Sequence, residues 1–161
     1  SEGDYTITIT DLFGCTTDTL VHVDQITGSY LLAMAGNDTL CLHKIANSNI
    51  KVTSITGVIN LKATLSYDGQ RLLCTHFNDS LPGITATSYE TLSRIVLEWN
   101  GTTPIPSTDT ISLGELIFQT KETGLADVMW DLDASNTFFT DENGNAITPV
   151  LIPGAVTGYQ H

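Results

Sequence analysis

From Tyr5 to Thr10 the chain reads Tyr-Thr-Ile-Thr-Ile-Thr, with apolar and hydroxyl-bearing residues changing places at every step. Period-two alternation puts one kind of residue on each face of an extended strand, whereas a helix would scatter both kinds around its circumference. Asp11-Leu12-Phe13-Gly14 has turn chemistry and Thr19-Leu20-Val21-His22-Val23 returns, so residues 1–25 predict a β-hairpin with one apolar face. Tyr5, Ile7, Ile9, Val21 and Val23 form that face. A hairpin on its own is marginal in water, so these five residues are candidate contacts to another surface, of the same chain or of another subunit.

Residues 26–161 form a second block. Alternating runs stand between turn signals at Ser29–Met34, Thr39–Ile45, Val58–Tyr67, Arg71–Phe77, Ser93–Trp99, Gly114–Lys121, Ala126–Leu132 and Val150–Ile152. About eight short strands with little helical periodicity predict an all-β chain, and a two-sheet β-sandwich is the architecture that buries one face of each. Asn100-Gly101 and Asn143-Gly144 tolerate positive φ and mark turns, while Pro104 and Pro106 interrupt any strand there, so Thr102–Asp109 is expected to be an exposed loop.

Composition narrows the partners. Hydrophobic residues make up 41% and charged residues 15%, enough to bury a core and too few charges for a disordered chain. Six Lys plus Arg against 18 Asp plus Glu give a net charge of −12, a field that repels phosphate backbones and anionic lipid, so nucleic acid is not an expected partner. The longest apolar runs, such as Tyr30–Ala35, fall short of the roughly 20 residues of a membrane-spanning helix. Abundant Ser and Thr with scarce Lys and Arg fit a secreted or cell-surface β protein.

Five stretches in order carry a family likeness. Gly36-Asn37-Asp38-Thr39-Leu40-Cys41-Leu42 resembles the opening strand of cohesins, and Leu61-Lys62-Ala63-Thr64-Leu65-Ser66-Tyr67-Asp68 their "F-x-L-x-Y-D" strand, followed by an aliphatic Leu72. Ser93–Trp99 and Gly114–Thr120 resemble two later strands and Phe139–Asn145 the terminal turn, so the likeness covers residues 29–152, and residues 46–57 and 77–92 depart from the pattern. It implies a cohesin-like (jelly-roll/Ig-like) two-sheet sandwich. Cohesins receive dockerins on one sheet face with variable contact residues, and no contact residue maps onto a motif of this chain. The segment Gly3–Thr16 is similar to the ending of Ig-like repeats in large Bacteroidota adhesins, "G-x-Y-T-V-T-V-T-D-x-x-G-C-T". There the hairpin completes a sandwich, and its cysteine pairs with one upstream.

The side chains that carry chemistry admit several readings. Cys15, Cys41 and Cys74 are an odd number, so at most one internal disulfide forms. Cys41-Leu42-His43 and Cys74-Thr75-His76 put a Cys and a His at period two, a donor set for zinc, although the spacing departs from structural zinc sites. A Cys41–Cys74 disulfide or free thiols are the other readings. Asp131, Asp133, Asp141, Asn143 and Asn145 offer oxygen ligands for Ca²⁺ without EF-hand order, and a hairpin turn also accounts for Asn143-Gly144. Glu98, Glu115 and Asp131 lie in no catalytic motif, and no Gly-x-Ser-x-Gly, Walker or His-Glu-x-x-His motif is present. Trp99 and Trp130 are candidate sugar platforms or core residues.

Four triplets, Asp18-Thr19-Leu20, Asp38-Thr39-Leu40, Asp79-Ser80-Leu81 and Asp109-Thr110-Ile111, resemble the Bacteroidota O-glycosylation acceptor, making Thr19, Thr39, Ser80 and Thr110 glycosylation candidates. A strand-rich, Thr-rich chain also generates such triplets. Asn37, Asn78 and Asn100 head Asn-x-Ser/Thr sequences.

The expectation is a non-catalytic extracellular module without a cofactor. It is read as a subunit of a surface fibre or large adhesin, assembled by β-strand pairing with copies of itself or with neighbouring modules. The alternative is a binding module that receives a dockerin or holds polysaccharide.

Overall fold

The computed structural model describes residues 3–10, 16–23, 30–54, 57–105 and 110–159, with side chains from residue 31 onward. The expected N-terminal hairpin is formed by β1 (Gly3–Thr10) and β2 (Thr16–Val23), paired antiparallel from Gly3 opposite Val23 to Thr10 opposite Thr16. This register sets Tyr5 across from Val21 and places Ile7, Ile9 and Val23 at positions of the same parity, so the five apolar candidates share one face of the ribbon. Among the described residues, β1 and β2 pair with no other strand.

The remaining strands build two layers. In the first, β13 (Ala146–Ile152) runs parallel to β3 (Tyr30–Ala35), followed by β5 (Ile45–Ser54), β10 (Thr110–Thr120) and β7 (Leu72–Asp79). In the second, the order is β4 (Asp38–Cys41), β14 (Gly154–Tyr159), β11 (Gly124–Trp130), β6 (Asn60–Tyr67), β9 (Arg94–Asn100) and β8 (Thr85–Tyr89). The short β12 (Phe138–Thr140) pairs with β6 on one side and β13 on the other, joining the layers.

Alternation explains the core. Leu61, Ala63, Leu65 and Tyr67 of β6, with Ile95, Leu97 and Trp99 of β9, face Ile50 and Val52 of β5 and Leu116 and Phe118 of β10, all buried. Tyr67 and Phe118 meet edge to face across the layers, ring centres 5.3 Å apart and planes at 61°.

The structure corrects the sequence reading in several places. The single strand expected at Thr39–Ile45 is two: Cys41 ends β4, a turn with His43 at φ 61° intervenes, and β5 starts in the other layer. Strands β8, β12 and β14 were not expected, and β5 extends through residues 46–54. The loop expected to be exposed at Thr102–Asp109 is so at Thr102 and Thr103, but Ile105 is buried and its N–H donates to the Val58 carbonyl. Residues 106–109 lie outside the described residues.

Candidate docking face

The outward side of the second layer is laid out in cross-strand rows. Tyr89 of β8 stands opposite Arg94 of β9, Arg94 opposite Ser66 of β6, and Ser66 opposite Met129 of β11. The next row holds Thr87, Val96 and Thr64, and the one after it Thr85, Glu98, Lys62 and Phe138. Residues opposite one another share a face, so these rows form one surface about four strands wide.

Large apolar side chains stand out on this surface. Tyr89 is 47% exposed, Met129 46%, and Leu92, in the 3-10 turn Glu90–Leu92 beside β8, is 63% exposed. Tyr89 and Leu92 sit together at one side of the face and Met129 three strands away at the other, and exposed apolar side chains of this size are candidate partner contacts. Arg94 crosses the middle and pairs with Asp131, whose carboxylate also accepts a hydrogen bond from the Asn136 amide. The loop after β11 thereby folds over the strand, and Asn136 covers Thr64, whose hydroxyl donates to the Asn136 carbonyl at 2.8 Å. Lys62, Tyr89, Leu92, Arg94 and Val96 line a hollow of about 190 Å³. A wider one of about 370 Å³, lined in part by Asn60, Thr85, Glu98, Asn100 and Phe138, continues the face toward the far end of β6. The surface thus combines apolar anchors with a charged centre already held in place, the pattern of a protein interface.

Known structures resemble this fold, although no family model matches the chain and no curated protein matches it in sequence. A cohesin–dockerin complex of Clostridium thermocellum, Coh-OlpC-Doc435, superposes with a TM-score of 0.73 at 14% identity, covering 87% of this chain and 100% of that one. The seventh ScaB type I cohesin of Pseudobacteroides cellulosolvens gives 0.70 at 16% identity, over 82% of this chain and 94% of that one. A non-cellulosomal cohesin of the archaeon Archaeoglobus fulgidus gives 0.68 at 14% identity, over 81% and 91%.

The fold is that of the cohesins.

Within this cohesin fold the chemical candidates separate. Cys41 and Cys74 carry free thiols and lie in different layers, Cys41 at the end of β4 and Cys74 in β7. Expecting each Cys-x-His pair to face one way fails for a geometric reason. Cys74 pairs with Phe118 and His76 with Ile117, leaving Thr75 as an extra residue in a bulge that reverses the alternation. Cys74 therefore points into the core while His76 is exposed, and burial pushes the Cys74 thiol up to about 11. His43 sits in the turn beyond β4. Among the described residues no three His, Cys, Asp or Glu side chains converge where a metal would be held. Cys15 lies outside the described residues.

The oxygen donors near the C-terminus are spent on the backbone. The Asp141 carboxylate accepts the side-chain amide of Asn145 and the N–H groups of Asn145 and Asn143, which hold it below its usual range, and Gly144 adopts φ 78° in the turn. Asp133 accepts the Ser135 N–H and hydroxyl and is lowered likewise. Asp131 and Asp133 belong to a different loop from Asp141, Asn143 and Asn145.

Trp99 and Trp130 are core residues, 7% and 5% exposed, whose indole N–H groups donate to the carbonyls of Pro82 and Ile152. Glu98 belongs to the outward face of the second layer and Glu115 to the first, where it stands opposite Asn49. Of the glycosylation candidates, Thr39, Ser80 and Thr110 are exposed, while the side chain of Thr19 lies outside the description. Sequence reasoning missed the docking face itself. Its one signal was a Leu three residues beyond a strand-like Tyr, with no apolar partner at strand spacing.

Proposed function

We propose that the chain is a non-catalytic protein-docking module of a secreted or cell-surface protein, which receives a dockerin-like partner on the outward face of the second layer. One observation carries this reading: Tyr89, Leu92 and Met129 lie exposed on either side of the Arg94–Asp131 pair on a four-strand surface. Support comes from the similar structures whose descriptions are of cohesin–dockerin complexes, such as Coh-OlpC-Doc435 and Coh-OlpA-Doc918. The reading requires neither cofactor nor turnover. It also fits the chain's lack, among the described residues, of a helix long and apolar enough to cross a membrane.

Calorimetric titration of the full chain with a panel of type I dockerin modules tests it. Saturable one-to-one binding is expected, weakened at least about tenfold by Leu92→Asp or Met129→Asp, since each buries a charge at the centre of an interface. Titrations that stay flat with every dockerin, while circular dichroism shows the sandwich folded, would remove the dockerin as partner.

A further inference from the structure

We propose that the open flank of the sandwich, where β7 and β8 end their layers, takes the N-terminal ribbon of a second copy of this chain as an added strand. This goes beyond the docking reading: it uses the free edge of β8, the strand that also borders the docking face, and its readout is self-association without any dockerin.

A sheet edge offers unpaired N–H and C=O groups, and proteins blunt such edges with charge, proline or short length. Two of the layer ends, β4 and β13, are treated in that way. The edge strand β4 is only four residues long, and the Asp38 carboxylate within it accepts the N–H groups of Thr39 and Asn47. The end strand β13 contains Pro149, which has no N–H, and its Ile152 carbonyl accepts the Trp130 indole. The flank of β11 away from β6 is covered by β14.

The edge at β8, although short, carries neither charge nor proline and is uncovered among the described residues. Its sequence is Thr85-Ala86-Thr87-Ser88-Tyr89, all five residues are exposed, and among the described residues it pairs only with β9. On the same flank β7 ends the first layer. Between the two strands lies a cleft of about 320 Å³, lined in part by Cys74, Phe77, Ile84, Ala86 and Ile95. Four of those five belong to the core cluster or pack against it, so the cleft reaches toward the hydrophobic interior.

The chain itself contains a strand of the matching kind. Among the described residues β1 and β2 pair with nothing but each other, so the ribbon presents two edges of its own. Beyond Asp4, the Tyr5–Ile9 part of the eight-residue β1 is uncharged, as is Thr85–Tyr89, and it is long enough to pair along all five residues of β8, about 17 Å. In a chain of net charge −12 these are places where two copies approach with little repulsion. Adding β1 to β8 satisfies both edges, and an alternating strand offers its apolar residues to the cleft. Each copy carries one donor and one acceptor, so the contact is head to tail and propagates into open chains.

The test uses the full chain and two variants: Ile7→Lys, defective as donor, and Thr87→Lys, defective as acceptor. Analytical ultracentrifugation of the unaltered chain is expected to show assemblies that grow with concentration. Each variant alone should weaken assembly at least about tenfold, and an equimolar mixture should give a dimer, because one intact donor and one intact acceptor remain. Circular dichroism identifies a variant that has lost its fold, in which case Ile9→Lys or Ser88→Lys replaces it. A chain that is monomeric at every concentration would overturn the proposal, as would assemblies unaffected by both substitutions or a variant mixture that fails to pair.

Discussion

The two flanks of the sandwich are finished in opposite ways. At the closed flank, β14 lies between β4 and β11, and the seam is tight enough that a side chain on Gly154 would meet the Gly36 carbonyl oxygen at 2.4 Å. The Asn37 side chain accepts the Ala155 N–H at 2.8 Å, fixing the start of that strand. At the open flank, β7 and β8 have no such covering among the described residues, and the buried Cys74 thiol lies at the wall of a cleft. Backbone is fitted to backbone where the fold closes on itself, and at the other flank β8 is left as an uncharged edge.

The largest effect belongs to the closed flank. Gly154→Val places methyl groups against the Ala35 and Gly36 backbone, and thermal denaturation should show a loss of about 1–3 kcal/mol, the cost of overpacking where backbone cannot yield. A variant as stable as the parent would mean that the seam is loose.

The open flank responds to alkali. Burial raises the Cys74 thiol from 9.0 to about 11, and burial raises the Tyr67 hydroxyl as well. Above pH 9 the unfolded chain ionises its thiol while the folded chain does not, so stability, unaffected by this group below 9.0, falls as the pH rises toward 11. Melting temperatures across that range should show the slope, and Cys74→Val should remove the thiol's share of it. A slope identical in that variant would mean that the cleft already wets the thiol.

A smaller effect sharpens the contrast. Asn37→Ala removes one side-chain hydrogen bond to the β14 backbone and should cost about 0.5–1.5 kcal/mol in denaturant unfolding, with the m-value unchanged.

The same contrast governs what was legible in the sequence. Strand β6 announces itself because apolar residues alternate with polar ones, Leu61, Ala63, Leu65 and Tyr67 with Lys62, Thr64 and Ser66 between them. Strand β14 is hidden because two of its three inward residues are glycines, Gly154 and Gly158, with Val156 between them. Strand β5 is partly hidden by Ser48, fully buried and satisfied by donating to the Gly36 carbonyl, where the pattern calls for an apolar residue. An edge strand exposed on both sides, like β8, has no alternation to read. The docking face is hard to see for a related reason. Met129 and Tyr89 look like core residues until the register shows which way their rows face. The bulge at Thr75, which separates Cys74 from His76, arises from pairing with β10 and leaves no mark in the local sequence.

Backbone amide spectra of the isotope-labelled chain, recorded while a type I dockerin is added, test the central claim most directly. The account predicts shifts gathered on Ser66, Tyr89, Leu92, Arg94 and Met129, the exposed rows of the second layer. Shifts gathered instead on Asn47, Lys51 and Glu115 of the first layer, or none anywhere, would contradict it.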